Sequence, residues 1–105
     1  MVTYIGGDIL GKIELRSREI VGLVSQFIRG EVDCTIDYDF HYFTFKIHNG
    51  EHGWNWCGDI YDIMDMPPNK CAWKICTDYR DWLLTTYFRN KHLEDLLYSR
   101  KEQPL

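Results

Sequence analysis

The sequence predicts one α+β domain, residues 1–105, with an N-terminal helix, a C-terminal helical segment and a three- to four-stranded antiparallel sheet. The apolar period is 3.6 residues before residue 30 and 2 residues after it, which indicates a helix followed by strands. The length of 105 residues and the hydrophobic content of 45% are typical of a single globular unit with one core. This composition excludes a disordered chain.

The N-terminal helix is predicted from Ser17, a residue type that caps helices, to Gly30. Its apolar stripe has i, i+3, i+4, i+7 and i+8 spacing and consists of Ile20, Leu23, Val24, Phe27 and Ile28. Residues 1–5 are predicted as a short strand. Residues 8–15 fit neither pattern, because Gly11 disfavours a helix.

Alternation of apolar and polar residues predicts strands at residues 31–39 and 42–48. Asn49-Gly50 is a strong turn signal and opens a predicted loop over residues 49–53, before a third strand at residues 54–57. Residues 71–76 also alternate and are predicted as a fourth strand, whose inward side chains are Cys71, Trp73 and Ile75.

Residues 58–66 predict a short amphipathic helix that Pro67-Pro68 ends. A closing helix is predicted after a cap at Thr77 or Asp78. Residues 81–88 fit a helix and a strand equally well. The helical spacing is clear further on, at Leu93, Leu96 and Leu97, and residues 101–105 are predicted to fray.

The net charge restricts the class of partner, and the N-terminal sequence restricts the expected compartment. A net charge of -4 argues against general binding to nucleic acid or to an anionic membrane, which both need a basic surface. The N-terminus lacks the basic region of a signal peptide, so a cytoplasmic location is expected. In a reducing compartment structural disulfides are rare, so the cysteines are predicted to be free thiols at positions 34, 57, 71 and 76.

Acidic residues are concentrated in the predicted sheet, because residues 31–65 contain eight of the sixteen and only one basic residue, Lys46. Side chains on one face of a strand repeat every ~6.7 Å, so a carboxylate row is expected from Glu31, Asp33, Asp37 and Asp39. Such a row imitates the charges of a nucleic-acid backbone and attracts grooves lined with Lys and Arg. The alternative is a solvated strand face whose charges prevent aggregation.

Two further groups are candidate partner-binding residues beside this row. Asp59, Asp62 and Asp65 repeat at i, i+3 and i+6, which gathers them on one side of a helical turn. Trp54 and Trp56 share a strand face and are residue types that dominate binding hot spots. The alternative for the tryptophans is a bulky core that fills one face of the sheet.

The expected function is that of a small, soluble, non-catalytic inhibitor that blocks a basic, nucleic-acid-handling protein through its acidic strand face. By analogy in size and charge, this is the phage or mobile-element anti-defence type, such as anti-CRISPR or anti-restriction proteins and other nucleic-acid mimics. No cofactor, direct nucleic-acid contact, membrane contact or catalytic residue is predicted, since the sequence has no phosphate-binding glycine loop, G-x-S-x-G or H-E-x-x-H motif.

Two alternatives to this function stay open. The first is an immunity protein or antitoxin that neutralises a toxin nuclease. The second is a small metal-binding domain or enzyme, whose ligands would be the three aspartates above or His48, His52 and Cys57. The sequence predicts no oligomeric state.

Overall fold

A computed structural model of the chain describes residues 2–93, with the side chains of residues 8–93. A long helix, three strands and further helices follow one another, so the predicted α+β class is confirmed. In chain order the elements are α1 (Val2–Phe27), β1 (Glu31–Asp37), β2 (Tyr42–Asn49), β3 (His52–Asp59), α2 (Ile60–Met64) and α3 (Pro68–Trp82). A π-helical turn, Leu83–Tyr87, continues α3, and helical backbone follows to residue 93. None of the described helices is long and apolar enough to cross a membrane.

The three strands form one antiparallel sheet in the order β1-β2-β3. The alternation predicted for β2 is confirmed, since its inward side chains are completely buried at Phe43, Phe45 and Ile47. The loop predicted over residues 49–53 is wrong, because Asn49 pairs with His52 and only Gly50-Glu51 turn between the strands. Gly50 has a φ of 49°, a left-handed conformation that glycine adopts without steric cost.

The helix α1 is longer than the sequence predicts. It begins at Val2 rather than Ser17, so the strand predicted over residues 1–5 is wrong for the residues that the structure describes. The Ser17 hydroxyl does not cap a helix but donates to the Glu14 carbonyl at 2.7 Å within α1. The helical period continues back through the ambiguous segment, as the spacing of the buried residues indicates: Ile13, Ser17, Ile20 and Val24.

The fourth strand predicted over residues 71–76 is wrong, because these residues lie within α3. Pro68 occupies the first turn of α3, where its fixed φ favours a helix and its missing N–H has no cost. The buried side chains have helical spacing, at Cys71, Ala72, Ile75 and Tyr79. Trp73, expected on the same face as Cys71, is 69% exposed. Three alternating apolar residues are too few to distinguish a period of 2 from one of 3.6.

The closing helix is a continuation of α3 rather than a separate element. Thr77 and Asp78, predicted as caps, lie in the interior of α3, and the ambiguous residues 81–88 are helical. Leu93 is helical as predicted, whereas Leu96, Leu97 and residues 101–105 lie outside the described residues.

The helix α2 confirms the predicted short amphipathic helix and is attached to α1. Ile60 and Ile63 of α2 are buried. The Arg16 guanidinium of α1 donates from Nη1 to the carbonyl oxygens of Ile63 at 3.0 Å and Met66 at 2.7 Å. The core lies between the inner face of the sheet and the helices, while the side chains of the outer face point to solvent.

Candidate functional site

The acidic residues of β1 lie on the outer face of the sheet. Glu31 and Asp33 are exposed, whereas the intervening side chains, Val32, Cys34 and Ile36, pack towards the core. The antiparallel register pairs Glu31 with His48 and Asp33 with Lys46. The predicted carboxylates therefore form a solvent-facing row along an edge strand, with one cation of β2 next to it.

The register also brings together acidic residues that are far apart in the sequence. Asp37 of β1 pairs with Tyr42 of β2, which in turn pairs with Asp59 of β3. Neighbouring strands lie about 4.8 Å apart, so the two aspartates flank Tyr42 at one end of the sheet. The Ile60 N–H donates to the His41 carbonyl oxygen at 2.8 Å, which joins the β1–β2 turn to the β3–α2 junction. The two segments form a single surface.

Two of these carboxylates also hold the local backbone. Asp37 Oδ1 accepts hydrogen bonds from the N–H groups of Asp39 at 3.0 Å and Phe40 at 2.9 Å, which closes the turn after β1. Asp59 Oδ1 accepts from the N–H groups of Tyr61 at 2.8 Å and Asp62 at 3.3 Å, which caps α2. By contrast, the exposed carboxylates of Asp39 and Asp62 have no ion pair within the part of the chain that the structure describes.

Four aromatic side chains accompany the carboxylates at this end of the sheet. Phe40 is 75% exposed and Tyr61 is 67% exposed, and Tyr38 and Tyr42 are also exposed. The rings of His41 and Tyr61 lie 5.7 Å apart, across the junction of the two segments. We call this surface the acidic tip and define it by eight residues: Asp37, Tyr38, Asp39, Phe40, Tyr42, Asp59, Tyr61 and Asp62.

Tyr38 links the acidic tip to α1. Partial burial, and then the negative charge of Glu14, raise the pKa of the Tyr38 hydroxyl above its ordinary value.

Trp54 and Trp56 lie on the inner face of the sheet, opposite to the acidic row. Trp56 donates from Nε1 to Asp78 Oδ2 of α3 at 2.8 Å. The rings of Trp54 and Tyr79 lie 5.4 Å apart, within an aromatic cluster that includes Trp82. The two tryptophans share a face, as predicted, but this face is packed against α3. They do not form one surface with the acidic row.

Asp65 lies beside two lysines as well as near the two aspartates with which the sequence analysis grouped it. It ends α2 and, with Asp59 and Asp62, lines a surface cavity of about 560 Å³. Lys70 and Lys74 of α3 line the same cavity, so its local charge is mixed.

The proposed metal ligands do not converge. The side chains of residues 48 and 57 are on the outer face of the sheet, and that of His52 is on the inner face, where it contacts the Tyr79 hydroxyl at 2.5 Å. The described residues contain no group of three His, Cys, Asp or Glu side chains able to hold a metal ion. The four cysteines are free thiols, and burial raises the pKa of Cys34 to about 12 and of Cys71 to about 11.

None of the four aromatic residues of the tip was selected from the sequence as a binding residue: Tyr38, Phe40, Tyr42 and Tyr61. The signal is present at residues 38–42, because a turn is normally rich in Gly, Asn, Asp, Ser and Pro, whereas this turn contains three aromatic residues. No protein-family model, curated protein or solved structure matches this chain.

Proposed function

We propose that the protein is a small, non-catalytic inhibitor that binds a basic, nucleic-acid-handling protein through the acidic tip and the adjoining acidic row of β1. The observation that supports this most is the junction of Asp37 and Asp59 around Tyr42, which gathers carboxylates from two separate segments on one solvent-facing surface. The anti-defence proteins of phages and mobile elements are the class that this proposal favours, with a cytoplasmic site of action.

The charge of this surface matches a groove that holds phosphates. The row and the tip contribute six carboxylates, from Glu31, Asp33, Asp37, Asp39, Asp59 and Asp62, and Lys46 is the cation that pairs with the row. Lys and Arg side chains that neutralise nucleic-acid phosphates would meet a series of negative charges here. Electrostatic complementarity of this kind increases the association rate and makes it sensitive to salt.

The exposed aromatic residues of the tip offer apolar contact area, which the carboxylates alone do not. Interfaces derive most of their affinity from a few buried anchors, among which Tyr and Trp are enriched, and a charged rim contributes mainly specificity. Phe40 and Tyr61 are mostly exposed in the free protein and are framed by carboxylates. Burial of their rings in a partner would stabilise the complex, and the carboxylates would orient it.

The test is affinity purification with the tagged protein and a triple variant, Asp33→Asn, Asp39→Asn and Asp62→Asn. These side chains are exposed and accept none of the backbone hydrogen bonds that hold the turn and cap α2. The matched control, Asp8→Asn, Glu19→Gln and Asp81→Asn, removes the same charge from helical positions away from the tip. Thermal unfolding of both variants should match that of the wild type, which excludes loss of binding through unfolding.

We expect the wild type and the control to recover a nucleic-acid-handling protein that is released by duplex DNA or by added salt. The triple variant should not recover it. Equal recovery by the triple variant, or no specific recovery by the wild type, would contradict the proposal. Recovery of one toxin nuclease that added DNA does not release would instead support the immunity-protein alternative.

A further inference from the structure

A groove between α1 and α3 extends from the last residue of β2, Asn49, to Lys70 in the first turn of α3. It has a volume of about 880 Å³. One large apolar side chain stands exposed on each wall: Phe27 of α1 is 75% exposed and Trp73 of α3 is 69% exposed. Leu23, Ala72 and Leu83 add further apolar lining, and the uncharged polar residues of the lining are Gln26, Asn49, Asn69 and Thr77.

The charged residues that line this groove are all basic. They are Arg29, Lys70 and Arg80, and no Asp or Glu is present in the lining, although acidic residues outnumber basic ones in the chain. Arg80 lies 3.7 Å from the exposed carboxylate of Asp81, a surface contact that contributes little free energy. Arg29 and Lys70 form no ion pair among the described residues.

The cations stand at both ends of the groove. Lys70 is in the first turn of α3, and Arg80 follows ten residues later, which corresponds to about 15 Å along the helix axis. Arg29 follows α1 and lies at the same end of the groove as Arg80. Its neighbour Gly30 packs against the backbone at the end of β2. At that point the Asn49 side chain contacts Tyr79, the residue before Arg80. The groove is therefore mainly apolar between its ends and has basic side chains at both ends.

We propose that this groove binds an acidic amphipathic helix of a partner protein. The apolar stripe of such a helix would cover Phe27 and Trp73, and carboxylates about 15 Å apart, or about ten helical residues, would pair with the cations at the two ends. A single-headed anion, such as a fatty acid, would use the cations of one end only. The two-ended charge thus favours a peptide helix over a small amphiphile.

The test starts with a display library of random peptides of about 14 residues, a length that spans about 21 Å as a helix. We expect the enriched sequences to contain an apolar stripe with a carboxylate near each end. A labelled synthetic copy of the strongest binder is then titrated with the protein and followed by fluorescence anisotropy. Trp73→Ser should weaken its binding about 30-fold, the loss typical of a hot-spot residue.

Charge reversal and a matched apolar substitution complete the design. Arg80→Glu should also weaken the labelled peptide, whereas Leu84→Ser, at a residue 62% exposed outside the groove, should leave its affinity unchanged. The triple variant of the acidic row and tip, Asp33→Asn, Asp39→Asn and Asp62→Asn, should bind the peptide like the wild type. This distinguishes a failure of the groove proposal from a failure of the proposed inhibitory function.

Three outcomes would overturn the groove proposal. The first is an enriched peptide whose affinity does not change in Trp73→Ser, or a library without enrichment of acidic amphipathic sequences. The second is binding of laurate that Trp73→Ser abolishes, in the absence of peptide binding, which would indicate a small-molecule site. The third is a concentration-dependent dimer in sedimentation equilibrium that Trp73→Ser dissociates, which would assign the groove to a second copy of this chain.

Discussion

Arg16 connects α1 to residues 63–66, which follow the acidic tip in the chain. Its replacement tests how much this connection contributes to the free energy of unfolding. Its Nη1 atom donates to the carbonyl oxygens of Ile63 and Met66 at 3.0 and 2.7 Å, and the contact with Met64 is 3.4 Å. A hydrogen bond that involves a charged group contributes about 1.5–3 kcal/mol. Because the two short bonds share one nitrogen of a partly buried side chain, we expect Arg16→Met to lower the free energy of unfolding by about 3 kcal/mol.

Urea unfolding, followed by circular dichroism, measures this loss. With an m-value of about 1.5 kcal/mol per molar urea, a loss of 3 kcal/mol lowers the midpoint by about 2 M. The matched control is Arg16→Lys, which keeps the charge but replaces the planar fork of donors, so it should recover only part of the stability. A midpoint shift below about 0.5 M in Arg16→Met would refute the reasoning, because water would then satisfy the carbonyl groups equally well.

Other features of the fold can be tested with single measurements. Gly22→Ala, in α1 with open space around the added methyl, should raise the free energy of unfolding by up to about 1 kcal/mol. Gly30→Ala should lower the free energy of unfolding by about 2 kcal/mol or more, because residue 30 has a φ of 123° and an added Cβ would lie against a backbone carbonyl. Thermal unfolding measures both glycine variants, and a variant as stable as the wild type would contradict its prediction. Trp56→Phe, which removes the Nε1–H donor to α3, should cost about 1–2 kcal/mol in urea, and no change would indicate a dispensable bond. A thiol reagent should modify exposed Cys57 well before Cys71, whose burial raises its pKa to about 11; mass spectrometry that finds equal rates would disprove this.

The sheet was predictable because its signals are local and consistent. In β2 each inward residue is large and apolar and each outward residue is polar, so only one register buries Phe45 and its neighbours. The helices were less predictable because their limits depend on tertiary contacts. Ser17 resembles a cap in sequence, but it lies within α1 because the apolar stripe from Ile13 onward packs continuously against the rest of the domain.

The acidic tip was predictable in part. Its carboxylates follow from composition and alternation, but the proximity of Asp37 and Asp59 requires the strand order and register, which no local pattern contains. The aromatic residues illustrate the same limit. Trp54 and Trp56 alternate on one face, and the sequence does not say that α3 covers that face. Phe40 and Tyr38 are exposed in the turn that follows Asp37, the last paired residue of β1.

Because the acidic tip and the groove carry opposite charges, the fold favours one side of the protein for the approach of a basic partner. Seven residue steps of β2 separate the Tyr42 end from the Asn49 end, which corresponds to about 23 Å, more than two Debye lengths at physiological salt. A basic partner would be attracted by the tip and repelled by Arg29 and Arg80, so encounters in which the tip comes first are favoured. Screening at that distance keeps the Tyr42 end of the sheet electrostatically separate from Arg29 and Arg80, whereas Lys70, at the other end of the groove, lines a cavity that Asp59 and Asp62 also line. The binding of a basic partner at the tip and the binding of an acidic helix in the groove should each weaken as salt is raised.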